Sequence, residues 1–147
     1  KSFMFYAVLS VGTLFIAGPL GDKFTSRKLL PYMNIPSLFA MIILFYFDNY
    51  FFAYFVLGLM GISNGLANVL GSSTWAEIYG VKHIGSIKAL TTSMMVFSTA
   101  FGTAIFGIVI DFGYSIEFIA MLSFLYIITA NILIIIFKSK IEPILVK

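Results

Sequence analysis

Residues 18–28 read GPLGDKFTSRK, and they form the one place where charges cluster between two long apolar runs. Four of these eleven residues are charged, in a chain of 147 residues that is 10% charged. Gly18 and Gly21 permit close helix approach and unusual backbone angles. Asp22 is suited to accept hydrogen bonds from a helix N-terminus. The segment therefore predicts a tight hairpin between two membrane helices, although an ordinary basic loop fits the same residues.

The composition excludes an ordinary soluble domain. The chain is 61% hydrophobic and 18% aromatic, with a mean hydropathy of +1.05, whereas soluble domains average about 45–50% apolar and about 25% charged residues. The net charge of +3 is spread over separate short loops, so no nucleic-acid partner is predicted. With no cysteine and one histidine, His83, the sequence predicts no cofactor, no metal site and no catalytic set.

The uncharged runs have the length of membrane helices. A bilayer core of about 30 Å needs about 20 apolar residues at a rise of about 1.5 Å. The predicted fold class is an all-α membrane protein with five transmembrane helices. The chain starts with Lys1 rather than Met, so we expect residues upstream of it. The five spans are predicted at about residues 2–20, 29–47, 50–74, 87–110 and 116–137.

The placement of lysine and arginine predicts the orientation. If the hairpin of residues 18–28 is cytoplasmic, the loop at 77–88 and the tail from residue 138 are cytoplasmic too. Asp48, Asp111 and Glu117 then lie outside, with Asp48 in a tight turn. Eight of the nine basic residues lie in the three cytoplasmic segments: Lys23, Arg27, Lys28, Lys82, Lys88, Lys138, Lys140 and Lys147.

Glycine divides the five spans into two kinds. Spans two and five lack glycine, whereas the other three carry it. Because small residues let membrane helices approach closely, we expect spans one, three and four in the interior and spans two and five at the lipid-facing periphery. The glycines of the three interior spans are Gly12 and Gly18, then Gly58, Gly61, Gly65 and Gly71, then Gly102 and Gly107.

The order Gly-x-Leu-x-Asp-Lys-x-x-x-Arg-Lys at 18–28 resembles the cytoplasmic loop signature of the major facilitator superfamily. That family has twelve helices in two halves, and the loop joins the second and third helices of each half. The resemblance implies that residues 1–147 are the C-terminal part of such a transporter domain, helices eight to twelve. It also implies a missing N-terminal half as partner, a plasma (inner) membrane location and a cytoplasmic C-terminus. The family's ninth and twelfth helices are peripheral, which agrees with the glycine division.

A second resemblance covers the third and fourth spans. The run Trp75-Ala-Glu77-Ile-Tyr79-Gly80 is similar to the family's tenth helix, with Trp75 where many bacterial members have proline. Four later residues match the eleventh helix and the turn after it: Gly102, Gly107, Asp111 and Gly113.

The resemblance implies a gate built from Asp22, Arg27 and Glu77. Asp22 would face a helix N-terminus in the other half of the transporter, and Arg27 would pair with Glu77. Such contacts hold the cytoplasmic side closed and break as the halves rock. The alternative is that Glu77 is a solvated loop acid.

Polar residues inside the spans form a second candidate set. Asn64 and Asn68 lie four residues apart on one helix face, and uncompensated amides in lipid are costly. These polar side chains line a solute pathway or hydrogen-bond helices to one another, and the sequence leaves both readings open. The other members of the set are Tyr6, Ser10 and Thr13 on the first span and Thr92, Thr99 and Thr103 on the fourth.

The function that these features predict is secondary active transport of a small solute by alternating access. The alternative is a non-transporting membrane subunit or scaffold whose five helices bind partner helices. An enzyme is the weakest reading, since no catalytic constellation is visible. Gly58-x-x-Gly61-x-x-x-Gly65 predicts helix packing rather than a nucleotide site, because no strand precedes it.

Overall fold

The computed structural model describes residues 2–47 and 49–141, and this part of the chain is helical apart from short turns. Asp48, Lys1 and Lys147 lie outside the described residues, as do the side chains of Lys138 and Lys140. The helices are α1 (Ser2–Phe24), α2 (Ser26–Leu29), α3 (Ile35–Tyr46), α4 (Tyr50–Tyr79), α5 (Ile84–Asp111) and α6 (Ile116–Ile141), with 3₁₀ turns at Leu30–Tyr32 and Val81–His83.

Among the described residues, five segments are long and apolar enough to cross a membrane, as the sequence predicts. The helices are longer than predicted and the connections are correspondingly shorter. The first runs to Phe24 and the third to Tyr79, so Glu77 lies on a helix and not in a loop. Between α4 and α5 only Gly80 and one 3₁₀ turn remain, and Gly80 has a φ of 72°.

The glycines of α4 form its contact with α1. Gly58, Gly61 and Gly65 recur at three- and four-residue spacing, which places them on one face. A methyl group at Gly61 would lie 2.6 Å from the carbonyl oxygen of Tyr6, and one at Gly65 would lie 2.7 Å from that of Ser10. Because backbone atoms of α1 occupy the space of the missing side chains, the two helices pack at a separation that only glycine allows.

The opposite face of α4 packs against α3. Val56, Leu59 and Ser63 each lie two residues from a glycine of the first face, a rotation of about 200° around the helix. Val56 joins Ala40 and Met41 of α3 in a buried apolar cluster. Residues packed around that cluster include Phe124 and Ile127 of α6. The helix α3 therefore lies between α4 and α6, with an exposed outer surface.

The interior position expected for the fourth span stays a prediction, because the described residues alone leave α5 uncovered. None of the residues of α5 is buried, and Gly102 and Gly107 have open space around them. The physical reason is that α1 and α3 already cover the two opposite faces of α4. No complementary surface is left for α5 within this part of the chain. The peripheral position predicted for span five agrees with α6, whereas α3 is enclosed on two sides.

The α-helical hydrogen-bond pattern of the second span is interrupted, although Met33 and Asn34 keep helical φ and ψ angles. The span consists of α2, a 3₁₀ turn, a turn at Met33 and Asn34, and then α3. Pro31 lies at the start of the 3₁₀ turn, and Pro36 lies in the first turn of α3. Proline has no N–H and cannot donate a helical hydrogen bond. A bend was predicted at Pro36, and the structure has a new helix start there.

Candidate functional site

The joint between the first two spans is a single residue, Thr25. The helix α1 ends at Phe24 and α2 begins at Ser26. Thr25 has φ 67° and ψ 122°, and a positive φ in a β-branched residue costs about 1–3 kcal/mol. Gly18 and Gly21, which would permit such an angle, are both helical.

Glu77 holds this joint from the neighbouring helix. Its Oε2 accepts a hydrogen bond from Arg27 Nε at 3.2 Å, and the two side chains are 28% and 26% exposed. Its Oε1 accepts the backbone N–H of Ser26 at 3.0 Å. The predicted contact between Arg27 and Glu77 is therefore present. The contact to Ser26 was not predicted, and it satisfies one of the backbone donors left open at the first turn of α2.

Asp22 lies in the last turn of α1, where a carboxylate faces the negative end of the helix dipole. It is exposed, and among the described residues it has no hydrogen-bond or ion-pair partner. In this part of the chain Glu77, and not Asp22, accepts a hydrogen bond from a helix N-terminus, that of α2. Asp22 borders an open groove of about 570 Å³ that Arg27, Ser73 and Glu77 also line. A partner for Asp22 in another half stays a prediction.

The remaining signature residues differ in their surroundings. Gly21 is buried, and a methyl group there would lie 3.0 Å from Ser26 Oγ, whereas Gly18 has open space. Lys23 Nζ lies 5.5 Å from the centre of the Phe24 ring. Lys28 is exposed, and its backbone N–H donates to the carbonyl of Thr25 at 3.0 Å.

The polar residues of spans one and three form a short ladder. Asn64 Nδ2 donates to Ser10 Oγ at 3.4 Å, which links α4 to α1. Asn68 Nδ2 donates to the backbone oxygen of Asn64 at 2.9 Å and to its Oδ1 at 3.2 Å. Both asparagines are exposed beside the glycine contact. Thr13 Oγ1 bonds to the carbonyl of Leu9 on its own helix at 2.7 Å, and Tyr6 is half-buried.

The threonines of α5 do not connect helices among the described residues. Thr99 Oγ1 donates to the carbonyl of Met95 at 2.8 Å, and Thr103 Oγ1 donates to Thr99 at 3.0 Å. Thr92 is exposed on the same helix. Hydroxyls that are satisfied within their own helix can lie on an exposed face at little cost. A hydrogen bond between helices, one of the two readings that the sequence left open, is thus present at Ser10 and Asn64 but not at the threonines of α5.

Sequence reasoning missed a polar joint in the second span. Asn34 Nδ2 donates to Asn131 Oδ1 at 3.4 Å, which links this span to α6. Ser63 Oγ donates to the backbone carbonyl of Met33, which links the span to α4. The signal was an amide within an apolar run, the same signal that identified Asn64 and Asn68.

The fold and the site define an integral, multi-pass, all-helical membrane protein. A family model described as Major Facilitator Superfamily matches residues 2–144. The chain therefore belongs to the major facilitator superfamily, a family of membrane transporters. Comparisons with curated proteins and with solved structures returned no match.

Proposed function

We propose that this chain is the C-terminal part, helices eight to twelve, of a secondary transporter that moves a small solute by alternating access. The contact of Glu77 with Ser26 and Arg27 carries the proposal. It ties the signature loop to the end of α4, which is where a gate between two rocking halves has to act. Family membership supports a transport function in general, and the contact of Glu77 supports alternating access as its mechanism.

The proposed orientation places the joint at Thr25 on the cytoplasmic side of the plasma membrane. Four of the basic side chains that favour this are exposed around the joint and around the turn after α4: Lys23, Lys28, Lys82 and Lys88. Cytoplasmic loops carry an excess of such residues. The C-terminal tail is then cytoplasmic as well.

The proposed gate works through the carboxylate of Glu77. In the closed state Glu77 holds α2 against α4, and Asp22, which is exposed at the mouth of the groove, binds a helix end of the other half. Rocking of the halves then separates Asp22 from its partner. Because the side chains of Arg27 and Glu77 are about one-quarter exposed, their ion pair is weak enough to break during a transport cycle.

The proposed solute pathway follows the polar ladder of Ser10, Asn64 and Asn68. The exposure of both asparagines beside α1, despite the cost of amides in lipid, supports a surface that meets the solute or the missing half. Tyr6 and Thr13 extend the same set on α1, and Thr92, Thr99 and Thr103 supply hydroxyls on α5. Because these side chains are polar, we propose that the solute is small and polar.

A specific observation also favours the second candidate, a membrane scaffold. The exposed α5, with open space at Gly102 and Gly107, offers a surface on which a partner helix packs closely. In a transporter the same surface meets other helices of the complete protein. Transport activity separates the two candidates.

The test is solute uptake into liposomes. The purified chain alone is expected to give no saturable uptake above empty liposomes, since it supplies five helices of one repeat. Co-expression with the proposed N-terminal half restores uptake, and Asp22→Asn or Arg27→Ala then lowers it strongly at equal membrane insertion. Thr129→Ala is the matched control, because its hydroxyl bonds to Leu125 on its own helix. Uptake that stays absent with both halves present would favour the scaffold.

A further inference from the structure

We propose that residues 26–32 form a hinged gate segment that pivots at Met33 and Asn34, while α3 stays fixed in the bundle. The inference rests on the proposed gating role of Glu77 and adds the moving part. The proposal gives the irregular backbone of the second span a role in gating. The contact of Glu77 with Ser26 and Arg27 does not by itself explain that irregularity.

The segment is bounded by a backbone irregularity at each end, although Met33 and Asn34 at the second end keep helical φ and ψ angles. At one end Thr25 has a positive φ. At the other end the regular helix stops, and Met33 and Asn34 form a turn before α3 begins at Ile35. Pro36 has no N–H, so the carbonyl of Tyr32 lacks its usual helical donor. Hinges of this kind are a few terminal residues that absorb a change in φ and ψ.

The part of the span beyond the pivot is firmly held. Ala40 is fully buried and Met41 is 5% exposed, and both lie in the cluster between α3, α4 and α6. The pivot itself is fixed on two sides. Ser63 binds the carbonyl of Met33, and Asn131 binds the amide of Asn34. These contacts fix the axis about which the segment turns.

The polar contacts of the segment lie at its first residues, while residues 29–31 are half-buried by packing. Ser26 is 1% exposed, and its backbone N–H and the Arg27 guanidinium are both bound by Glu77. Further along, Lys28 and Tyr32 are exposed. Releasing the Glu77 carboxylate therefore removes the polar contacts between the segment and α4, whereas the buried residues of α3 keep their packing. The second span then bends at Met33 and Asn34 instead of moving as one rigid body.

The experiment measures two distances with pairs of nitroxide labels, in this chain that has no cysteine of its own. The gate pair is placed at Lys28 and Tyr79, and the outer pair at Phe45 and Ala53; all four residues are exposed. Each pair has one label on the second span and one on α4. The two pairs therefore measure the distance between the same two helices at their opposite ends. The samples are the full chain in lipid nanodiscs.

Glu77→Ala is expected to lengthen and broaden the gate-pair distribution and to leave the outer pair unchanged. Ser73→Ala is the matched control with both pairs unchanged, because Ser73 lines the same groove and bonds only to Val69 on its own helix. Adding Pro36→Ala to Glu77→Ala restores a helical donor at the pivot and reduces the shift. Glu77→Gln, which keeps the shape and loses the charge, gives a smaller shift in the same direction and repeats the test if the alanine variant is poorly folded.

Three results overturn the hinge. They are an unchanged gate pair in Glu77→Ala and Glu77→Gln, equal shifts in both pairs, and an undiminished shift when Pro36→Ala is added. None of these measurements depends on a solute. A gate pair that shifts as expected, together with uptake that stays absent when both halves are present, would reject the proposed transport and keep the hinge.

Discussion

Ser26 and Glu77 lie 51 positions apart in the sequence, and the carboxylate of Glu77 accepts the backbone N–H of Ser26 at 3.0 Å. One acidic side chain of α4 thus serves the first turn of α2, immediately after a residue with a positive φ. The same carboxylate also binds Arg27. The signature loop is therefore held by α4 in addition to the hydrogen bond from Lys28 to Thr25 within the loop.

This double contact predicts unequal effects for its two partners. Arg27→Ala removes a partly exposed ion pair and is expected to lower the free energy of unfolding by about 0–1 kcal/mol. Glu77→Ala also leaves the Ser26 N–H without its acceptor, which adds about 1–3 kcal/mol. Unfolding of the purified chain by dodecyl sulfate in mixed micelles, followed by circular dichroism, measures both.

The exchanged pair Arg27→Glu with Glu77→Arg is the control for the first prediction. It restores the charge attraction, but an arginine at position 77 has no acceptor for the Ser26 N–H. We expect only partial recovery of stability. Full recovery would show that the backbone contact contributes nothing.

The glycine face of α4 predicts a second contrast. In Gly61→Ala the new methyl group meets the Tyr6 carbonyl at 2.6 Å, so α1 and α4 must separate, at a cost of about 1–3 kcal/mol. Gly71→Ala on the same helix has open space and gains helix propensity, up to about 1 kcal/mol. The two variants should shift the unfolding midpoint in opposite directions, and equal shifts would contradict the close contact.

The asparagine pair predicts that α6 depends on one polar contact for part of its attachment. Asn131→Ala is expected to cost about 0.6–2 kcal/mol, the range for hydrogen bonds between membrane helices. In a double-mutant cycle with Asn34→Ala the two losses should be less than additive. Thr129→Ala is the control on the same helix, since its hydroxyl bonds to Leu125. Additive losses would mean that the two amides do not interact in the membrane.

The proposed topology predicts the accessibility of single cysteines. Thr25→Cys and His83→Cys should react with a membrane-impermeant maleimide only from the cytoplasmic side. Asn49→Cys and Tyr114→Cys should react only from the opposite side. All four residues are exposed, and labelling in intact cells and in inverted vesicles distinguishes the two sides. Reaction of Thr25→Cys and Asn49→Cys from the same side would contradict the five-span arrangement.

The number of spans and the family could be predicted from the sequence because both depend on local patterns. An apolar run of about 20 residues identifies a span without knowledge of its neighbours. The charged loop at residues 18–28 is conspicuous because charge is scarce in this chain. The pairing of Arg27 with Glu77 was implied by the family resemblance, and the structure has this contact.

The tertiary structure alone decided how the spans meet. Glycine content predicted the contact of α1 with α4, but it did not show that α5 remains uncovered, because that depends on which faces of α4 are already occupied. The positive φ of Thr25 follows from the closeness of α1 and α2, and no glycine marks it in the sequence. The capping role of Glu77 and the pairing of Asn34 with Asn131 join residues that are 51 and 97 positions apart. Such contacts follow from the packing of helices in three dimensions, which hydropathy along the chain does not encode.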